Sequence, residues 1–364
     1  MTENRWILSA DIGEKNLQLS LCQNEQMQMK DELFPLPEEE TEKKEAAVME
    51  HVWTFLQEQQ FDHGKIEKVI FSFEHPLPDQ IKTMRDTFVE AGFSKEMLGV
   101  ISRENAFVHY VIHQEPSLYE HTVLLFDFDG TNLFGYRLEH SKKKTPKQFR
   151  VEAGPIGSFQ LLSSTQEKGR LYDEHFSSIA RQLLSREVVS AVFLTGEGFS
   201  GGWLDRSLKV LCNGRRAFIG QNLFSGGGCY YALSQKEEKE TDYMILAPET
   251  VFYESGVVDS GKEEQFVPIT KAGKAWYETK GAIEVIPERG KKVEIVFSNV
   301  MTKEKQVEAV DISKLGKRPR KTGRLHIEVE FLGNRKGLIL VRDEGFGAFV
   351  PATHQVFLKE FQLL

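Results

Sequence analysis

The chain has 364 residues, 40% of them hydrophobic, with 26 Phe, a formal net charge of −8 and a pI near 5.8. That length accommodates two or three domains with cores of their own, and the apolar content argues against disorder. The acidic balance gives no electrostatic case for nucleic acid or an anionic membrane surface. No apolar run approaches a transmembrane span, and residues 1–5 lack the basic and apolar regions of a signal peptide. Cys22, Cys212 and Cys229 are odd in number and show no metal-ligand spacing, so free thiols in a reducing compartment, the cytoplasm, are expected.

Residues 6–13 read as a strand carrying Asp11 near its end; the turn Glu14-Lys15-Asn16 and a return strand over 17–22 follow. A Pro pair and a run rich in Glu and Lys predict a solvated connection over 29–45. A helix comes next, with Val48, Val52, Phe55 and Gln59 on one side. Residues 66–73 form a β-rich strand stopped by His75-Pro76. Pro78 then opens a helix whose Ile81, Met84 and Phe88 share a stripe, closed by Gly92. A short strand over 98–101 and a helix over 103–114 lead into a second hairpin, residues 121–138. Its apolar run ends in Asp127, its turn is Asp129-Gly130-Thr131-Asn132, and 133–138 returns. Two hairpins, each with an acid at the first turn, suggest a two-lobed α/β fold whose cleft lies between the turns.

Residues 142–147 make a basic turn, 149–153 a strand, 154–157 (Gly-Pro-Ile-Gly) a turn and 170–184 a helix. The near-continuous apolar strand 188–194 is the type buried on both faces of a parallel sheet. It ends in Thr195-Gly196-Glu197-Gly198-Phe199, before a helix through Trp203, Leu208 and Leu211. Glycines at the carboxyl end of a buried strand are where open α/β sheets place ligands, although close packing requires them too. Gly226-Gly227-Gly228, after Gln221-Asn222, lets a helix start close against a neighbouring backbone or a ligand.

Residues 234–242, SQKEEKETD, contain nothing to bury and read as a linker between an α/β domain at 1–233 and a second domain at 243–364. Beyond it the pattern changes to short alternating segments at 243–246, 250–253, 265–269, 282–286, 293–297, 306–312, 325–331 and 337–341. Many short strands without a convincing helix mean an all-β sandwich. The basic stretch 314–324 lies between strands and reads as a solvated loop. The end, 356–364, is expected to be a terminal strand or helix packed on the sandwich, with a short membrane-seeking tail as the competing reading.

The pieces in this order resemble the actin-like (ribonuclease H-like) ATPase superfamily, and specifically its seventy-kilodalton heat-shock chaperone (DnaK-like) branch. Asp11-Ile12-Gly13 with Asn16 is similar to the first phosphate motif, and residues 68–73 through Ala106 to the segment ending in the first connecting helix. Asp127 with Asp129-Gly130-Thr131 is similar to the second phosphate motif, and Thr195-Gly196-Glu197-Gly198 to the adenosine motif. Residues 292–297 and 325–341 are similar to the β-sandwich substrate-binding domain. The resemblance implies that Asp11, Glu104 and Asp127 are the candidate catalytic acids orienting magnesium and water. Asp11 and Asp127 would hold the metal through water, and Gly13, Asn16, Gly130, Thr131, Gly196 and Gly198 would contact a nucleotide.

Departures from the pattern point away from hydrolysis. Glu14 and Lys15 stand where the family has hydroxyl residues, and Asp129 replaces a glycine. One such negative charge about 4 Å from a phosphate costs roughly 4 kcal/mol at an effective dielectric near 20, unless a metal intervenes. No counterpart of the family's catalytic lysine is found. The expected function is therefore a chaperone-like binding or scaffold protein with a degenerate nucleotide lobe (a pseudo-ATPase) and no cofactor, or only weak ATP with magnesium. A slow magnesium-dependent ATPase and an actin-like assembly or membrane-associated scaffold are the alternatives. The expected partner is a protein or peptide segment taken up by the β-sandwich. Asp11 and Asp127 are expected on turns facing the cleft, where removing either relieves repulsion.

Overall fold

The computed structural model describes residues 5–23, 29–37, 41–61, 63–141, 147–162, 168–235, 243–259, 265–287, 291–315 and 323–364. The chain divides into two compact units, 1–245 and 246–364. The first is built from one motif used twice. In the first copy, strands β1 (Trp6–Ile12), β2 (Asn16–Gln23) and β3 (Met29–Pro35) precede helix α1 (Thr41–Glu58), and β4 (Ile66–Phe73), α2 (Pro78–Glu90), β5 (Leu98–Ser102) and α3 (Arg103–Ile112) follow. The second copy repeats that order as β6 (Thr122–Phe128), β7 (Asn132–His140), β8 (Lys147–Ser158), α4 (Lys168–Leu184), β9 (Val189–Thr195), α5 (Asp205–Leu211), β10 (Arg216–Ile219) and α6 (Leu223–Ser234).

Sheet topology repeats as well. The first sheet runs β3-β2-β1-β4-β5, antiparallel across β1, β2 and β3 and parallel across β1, β4 and β5. In the second sheet β8-β7-β6-β9-β10 reproduces the same order and the same directions. Two copies of a three-strand meander extended by parallel crossovers make the two-lobed α/β architecture of actin-like proteins. The duplication places Asp11, late in β1, and Asp127, late in β6, at equivalent positions: Asp11 pairs in register with Ser72, and Asp127 with Thr195.

The helix that closes each copy packs against the sheet of the other. Phe107 and Tyr110 of α3 contact Phe193 of β9, and Phe107 also meets Tyr136 of β7. In return α6 lies on the first sheet, where Ser225 and Ser20 share a buried hydrogen bond of 2.7 Å. The glycine triplet is explained here. A Cβ on Gly227 would overlap the carbonyl oxygen of Ala106 in α3, and one on Gly228 would overlap the hydroxyl of Ser9 in β1. All three glycines are buried; Gly227 lets α6 approach the α3 backbone, and Gly228 makes room for the Ser9 side chain. Gly227→Ala is accordingly expected to lower stability by about 1–3 kcal/mol through overpacking. Urea denaturation would check this, and an unchanged midpoint would mean that the α3–α6 crossing has room to spare.

Several boundaries differ from the sequence reading. Residues 29–35 are a strand, not a connection: β3 covers the outer side of β2, so one half-buried face suffices and its polar residues face outward. Gly154, Pro155 and Ile156 lie within β8, where a register shift between Leu133 and Phe134 absorbs the irregularity. Strand β11 (Tyr243–Leu246), expected to open the sandwich, instead adds an edge to the second sheet beside β8. Of the expected linker only Ser234 and Gln235 fall among the described residues, and the basic stretches 142–146 and 316–322 lie outside them.

The second unit has two four-stranded sheets. One runs β13 (Gln265–Thr270), β12 (Tyr253–Asp259), β15 (Lys292–Asn299), β16 (Lys305–Asp311). The other runs β14 (Lys280–Val285), β17 (Arg324–Phe331), β18 (Lys336–Gly345), β19 (Val356–Gln362). Strict alternation in β17 turns Leu325, Ile327, Val329 and Phe331 inward, and rings of Phe297, Phe331 and Phe361 meet between the sheets. The tail considered as a membrane-seeking segment is β19, paired antiparallel with β18. Among the described residues no helix is long and apolar enough to cross a membrane.

Candidate functional site

A cleft of about 230 Å³ opens in the first unit between the two hairpin turns, with Gln18, Glu74, Thr195 and Gln221 among its walls. Asp11 and Asp127 both line it, so the two equivalent acids do converge. They do not sit on turns, however; both are strand residues, and Asp11 is buried.

Between them lies Arg103, the first residue of α3. Its Nε donates to Asp11 Oδ1 at 3.0 Å and its Nη2 to Asp11 Oδ2 at 2.8 Å, a two-pronged fork. Its Nη1 reaches Asp127 Oδ2 at 3.4 Å. Ser72 Oγ donates to Asp11 Oδ1 at 2.8 Å, and the guanidinium carbon sits 4.9 Å from the centre of the Phe224 ring. One guanidinium thus ties an acid of each repeat. Removing Asp11 would leave that cation short of its better partner, which corrects the expectation that the change relieves repulsion.

The charges respond unequally. Burial opposes the charge on Arg103, but Asp11 and then Asp127 overcome it, holding the guanidinium protonated well above the ordinary arginine range. The Asp127 pKa is also pushed up, to about 6, which for a carboxyl disfavours the charge: its burial is the largest cause, and the repulsion of Asp11 adds to it against Arg103. Both statements hold together because the shorter contacts of Arg103 go to Asp11, and Asp127 keeps the longer one. Glu104 is absent from the cleft wall. It is buried in the first turn of α3, where burial raises its pKa to about 7 and leaves Oε2 without a hydrogen-bond partner among the described residues.

The turn of the second hairpin is also held from within. Asp129 Oδ1 accepts from the backbone N–H groups of Thr131 and Asn132, both at 2.6 Å. A carboxylate therefore fills the concave amide array that a phosphate would use. Gly130 has φ +94°, and a Cβ on Gly198 would overlap its backbone nitrogen, so these two glycines let the facing turns touch. Gly196, at φ +96°, exchanges hydrogen bonds with the side-chain amide of Gln221, 3.2 and 3.3 Å. A Cβ on Gly13 would stand 2.9 Å from Arg103 Nη2, so this glycine makes room for the guanidinium. Gly13, Asn16 and Gly196 line the cleft with the acids, whereas Gly130, Thr131 and Gly198 belong to the turns around it.

The residues do not fit magnesium with a nucleoside triphosphate. A protein cation stands across the two acids that would face the metal, and a protein carboxylate holds the amides that would face phosphate. Among the described residues no group of three or more His, Cys, Asp or Glu side chains is arranged to hold a metal ion. Sequence reasoning found the acids and missed Arg103, Ser72, Gln18 and Gln221.

Residues 26–248 match the family profile described as Family of unknown function (DUF5716) C-terminal. The chain belongs to that family. Residues 250–363 match a second profile, Domain of unknown function (DUF8552). No protein of curated function matches the sequence. Solved structures similar to this DUF5716 member include a ROK hexokinase from Thermus thermophilus, 13% identical, covering 62% of this chain and 97% of that one with a TM-score of 0.37. The ethanolamine utilization protein EutJ from Carboxydothermus hydrogenoformans is 10% identical, covering 62% and 89% with a TM-score of 0.44. The Aquifex aeolicus Ppx/GppA phosphatase is 14% identical, covering 53% and 68% with a TM-score of 0.31.

Proposed function

We propose that this chain is a chaperone-like binding or scaffold protein whose actin-like unit keeps the frame of a nucleotide-binding fold without hydrolysing ATP. One observation carries the reading: Arg103 holds Asp11 and Asp127 together, the two acids that the fold would turn toward magnesium and its water. A divalent cation entering there must displace a forked guanidinium from a nearly buried site. A triphosphate must displace the Asp129 carboxylate from its own turn as well.

An actin-like unit followed by a β-sandwich is the order seen in the seventy-kilodalton chaperones, which motivates placing the partner on the second unit. The edge strands of its sheets are β13, β16, β14 and β19. An extended protein segment added to such an edge would gain main-chain hydrogen bonds, with specificity from alternate side chains. Exposed Val307 on β16 and Val356 and Leu358 on β19 offer apolar contacts beside two of those edges.

Isothermal titration of the whole chain with ATP and magnesium tests the reading. No saturable heat is expected at millimolar nucleotide. Saturable binding, together with a magnesium-dependent ATPase activity that Asp127→Ala abolishes, would establish the slow ATPase instead.

A further inference from the structure

A second cavity, of about 500 Å³, is lined by the end of α4, by α5 and by the loop that leads into β10, and it shares no residue with the cleft. Its volume lies within the roughly 300–1,000 Å³ of pockets that take small ligands. Arg181, Arg206, Lys209 and Arg215 stand on its wall, where no carboxylate does, and Ser185 and Asn213 add a hydroxyl and an amide.

The fold leaves most of these charges without a partner. Acids outnumber Lys and Arg in this chain, 54 to 46, so the cluster runs against the overall balance. Glu174 approaches Arg206 at 3.6 Å. Among the described residues Arg181, Lys209 and Arg215 form no ion pair. Arg215 is nevertheless half-buried, and its Nη1 donates to the carbonyl of Val210 at 3.2 Å, which pins the guanidinium beside the cavity. Partial burial of a cation without counter-charge is unfavourable, and a bound anion would relieve it.

Helix ends do not account for the cluster. Arg181 and Lys209 lie in the last turns of α4 and α5 and complement the negative ends of those helices. Each such end carries only about half a negative charge, so the two offset about one of the four cations. Glu174 offsets another. A surplus of about two positive charges remains around a space large enough for a ligand.

We propose that this cavity binds a phosphate dianion, either as a free phosphate ester or as a phosphorylated side chain of a protein segment. A phosphate monoester brings a charge of about −1.5 to −2 and three acceptor oxygens, which match the surplus and the arginine forks better than a single carboxylate does. The site is separate from the cleft, and its loss would leave the proposed function standing.

Calorimetric titration of the whole chain with glycerol 3-phosphate and with a capped Gly-Gly-phosphoserine-Gly-Gly peptide tests this. The buffer contains no magnesium, which would take up phosphate oxygens itself. We expect saturable binding at millimolar concentrations, and the tighter of the two compounds identifies the source. Arg181→Gln combined with Lys209→Gln should weaken it about tenfold through loss of two counter-charges. Both side chains are exposed, so the fold should tolerate the change, and thermal melting without ligand checks this. Arg215→Lys keeps the charge but loses the fork and should weaken binding about fivefold. Lys291→Gln combined with Lys292→Gln, in the second unit, should leave it unchanged. Silence from both compounds would overturn the inference. Binding that survives the Arg181 and Lys209 changes, or that falls equally with the Lys291 and Lys292 changes, would assign it to surface charge at large and overturn it too.

Discussion

Arg103→Ala is expected to destabilise the actin-like unit by about 3–5 kcal/mol, the range for breaking a buried ion pair by removing one partner. The guanidinium is 13% exposed, and Asp11 and Asp127 are 8% and 18% exposed, so water screens the abandoned acids poorly. Both carboxylates would then face one cleft without the guanidinium between them. Arg103→Lys should recover less than half of the loss, since an ammonium cannot reproduce the fork onto Asp11 while reaching Asp127. Adding Asp127→Asn to Arg103→Ala should restore a further part, because it removes one of the stranded charges. Urea denaturation followed by far-ultraviolet circular dichroism would report these differences. A loss below about 1 kcal/mol for Arg103→Ala would mean that the pairs behave as exposed ones do.

Glu104→Gln should stabilise the chain above pH 7 by about 3 kcal/mol, an order-of-magnitude value from a carboxyl raised from 4.5 to about 7. Because the folded-state pKa lies above the unfolded one, the folded chain keeps a proton between pH 4.5 and 7 that the unfolded chain has lost. Stability from this group is therefore present at low pH and is lost as pH rises through that window. Asp127, raised from 3.8 to about 6, acts in the same direction. His109, held down to about 3 by burial, acts the other way up to pH 6.5, so the melting temperature of the actin-like unit should fall chiefly between pH 6.5 and 8, and Glu104→Gln should flatten that decline. The N-terminus of α3 favours an acid by only about 0.3–1 kcal/mol, too little to offset burial. A melting temperature that rises steadily from pH 5 to pH 8 in the wild type would contradict this account.

Much of the fold was legible because the strongest signals are local. The apolar runs ending in Asp11, Asp127 and Thr195 mark the central strands of two sheets, and alternation in β17 marks a half-buried strand. Strand β3 was not legible, since MKDELFP lies outside β2 and needs only one half-buried face. The ambiguity of the glycine triplet could not be resolved locally either. What excludes a side chain at Gly227 is Ala106, far away in the sequence and brought near by the exchange of helices between lobes.

The acids of the site were legible and their neutralising partner was not. Arg103 looked like an ordinary first residue of a helix, beside the more conspicuous Glu104. Its meaning comes from the duplication: α3 begins at the cleft after β5, just as α6 begins beside Gln221 after β10. Each of these junctions sends a side chain back across the cleft, Arg103 to Asp11 and Gln221 to Gly196. Comparing the two halves of the sequence element by element would have drawn attention to both residues. Asp129 was read as a charge projecting at a phosphate, whereas it bends back onto the amides of its own turn.

The Arg103 guanidinium stands between the two equivalent acids of the cleft. Nuclear magnetic resonance of the Arg103 guanidinium, assigned by its loss in Arg103→Lys, tests this most directly. A slowly exchanging Nε–H signal, held by Asp11, is expected, with a shift and exchange rate that stay constant as ATP and magnesium are added. A signal that exchanges as fast as those of surface arginines, or that moves saturably with the nucleotide, would contradict it.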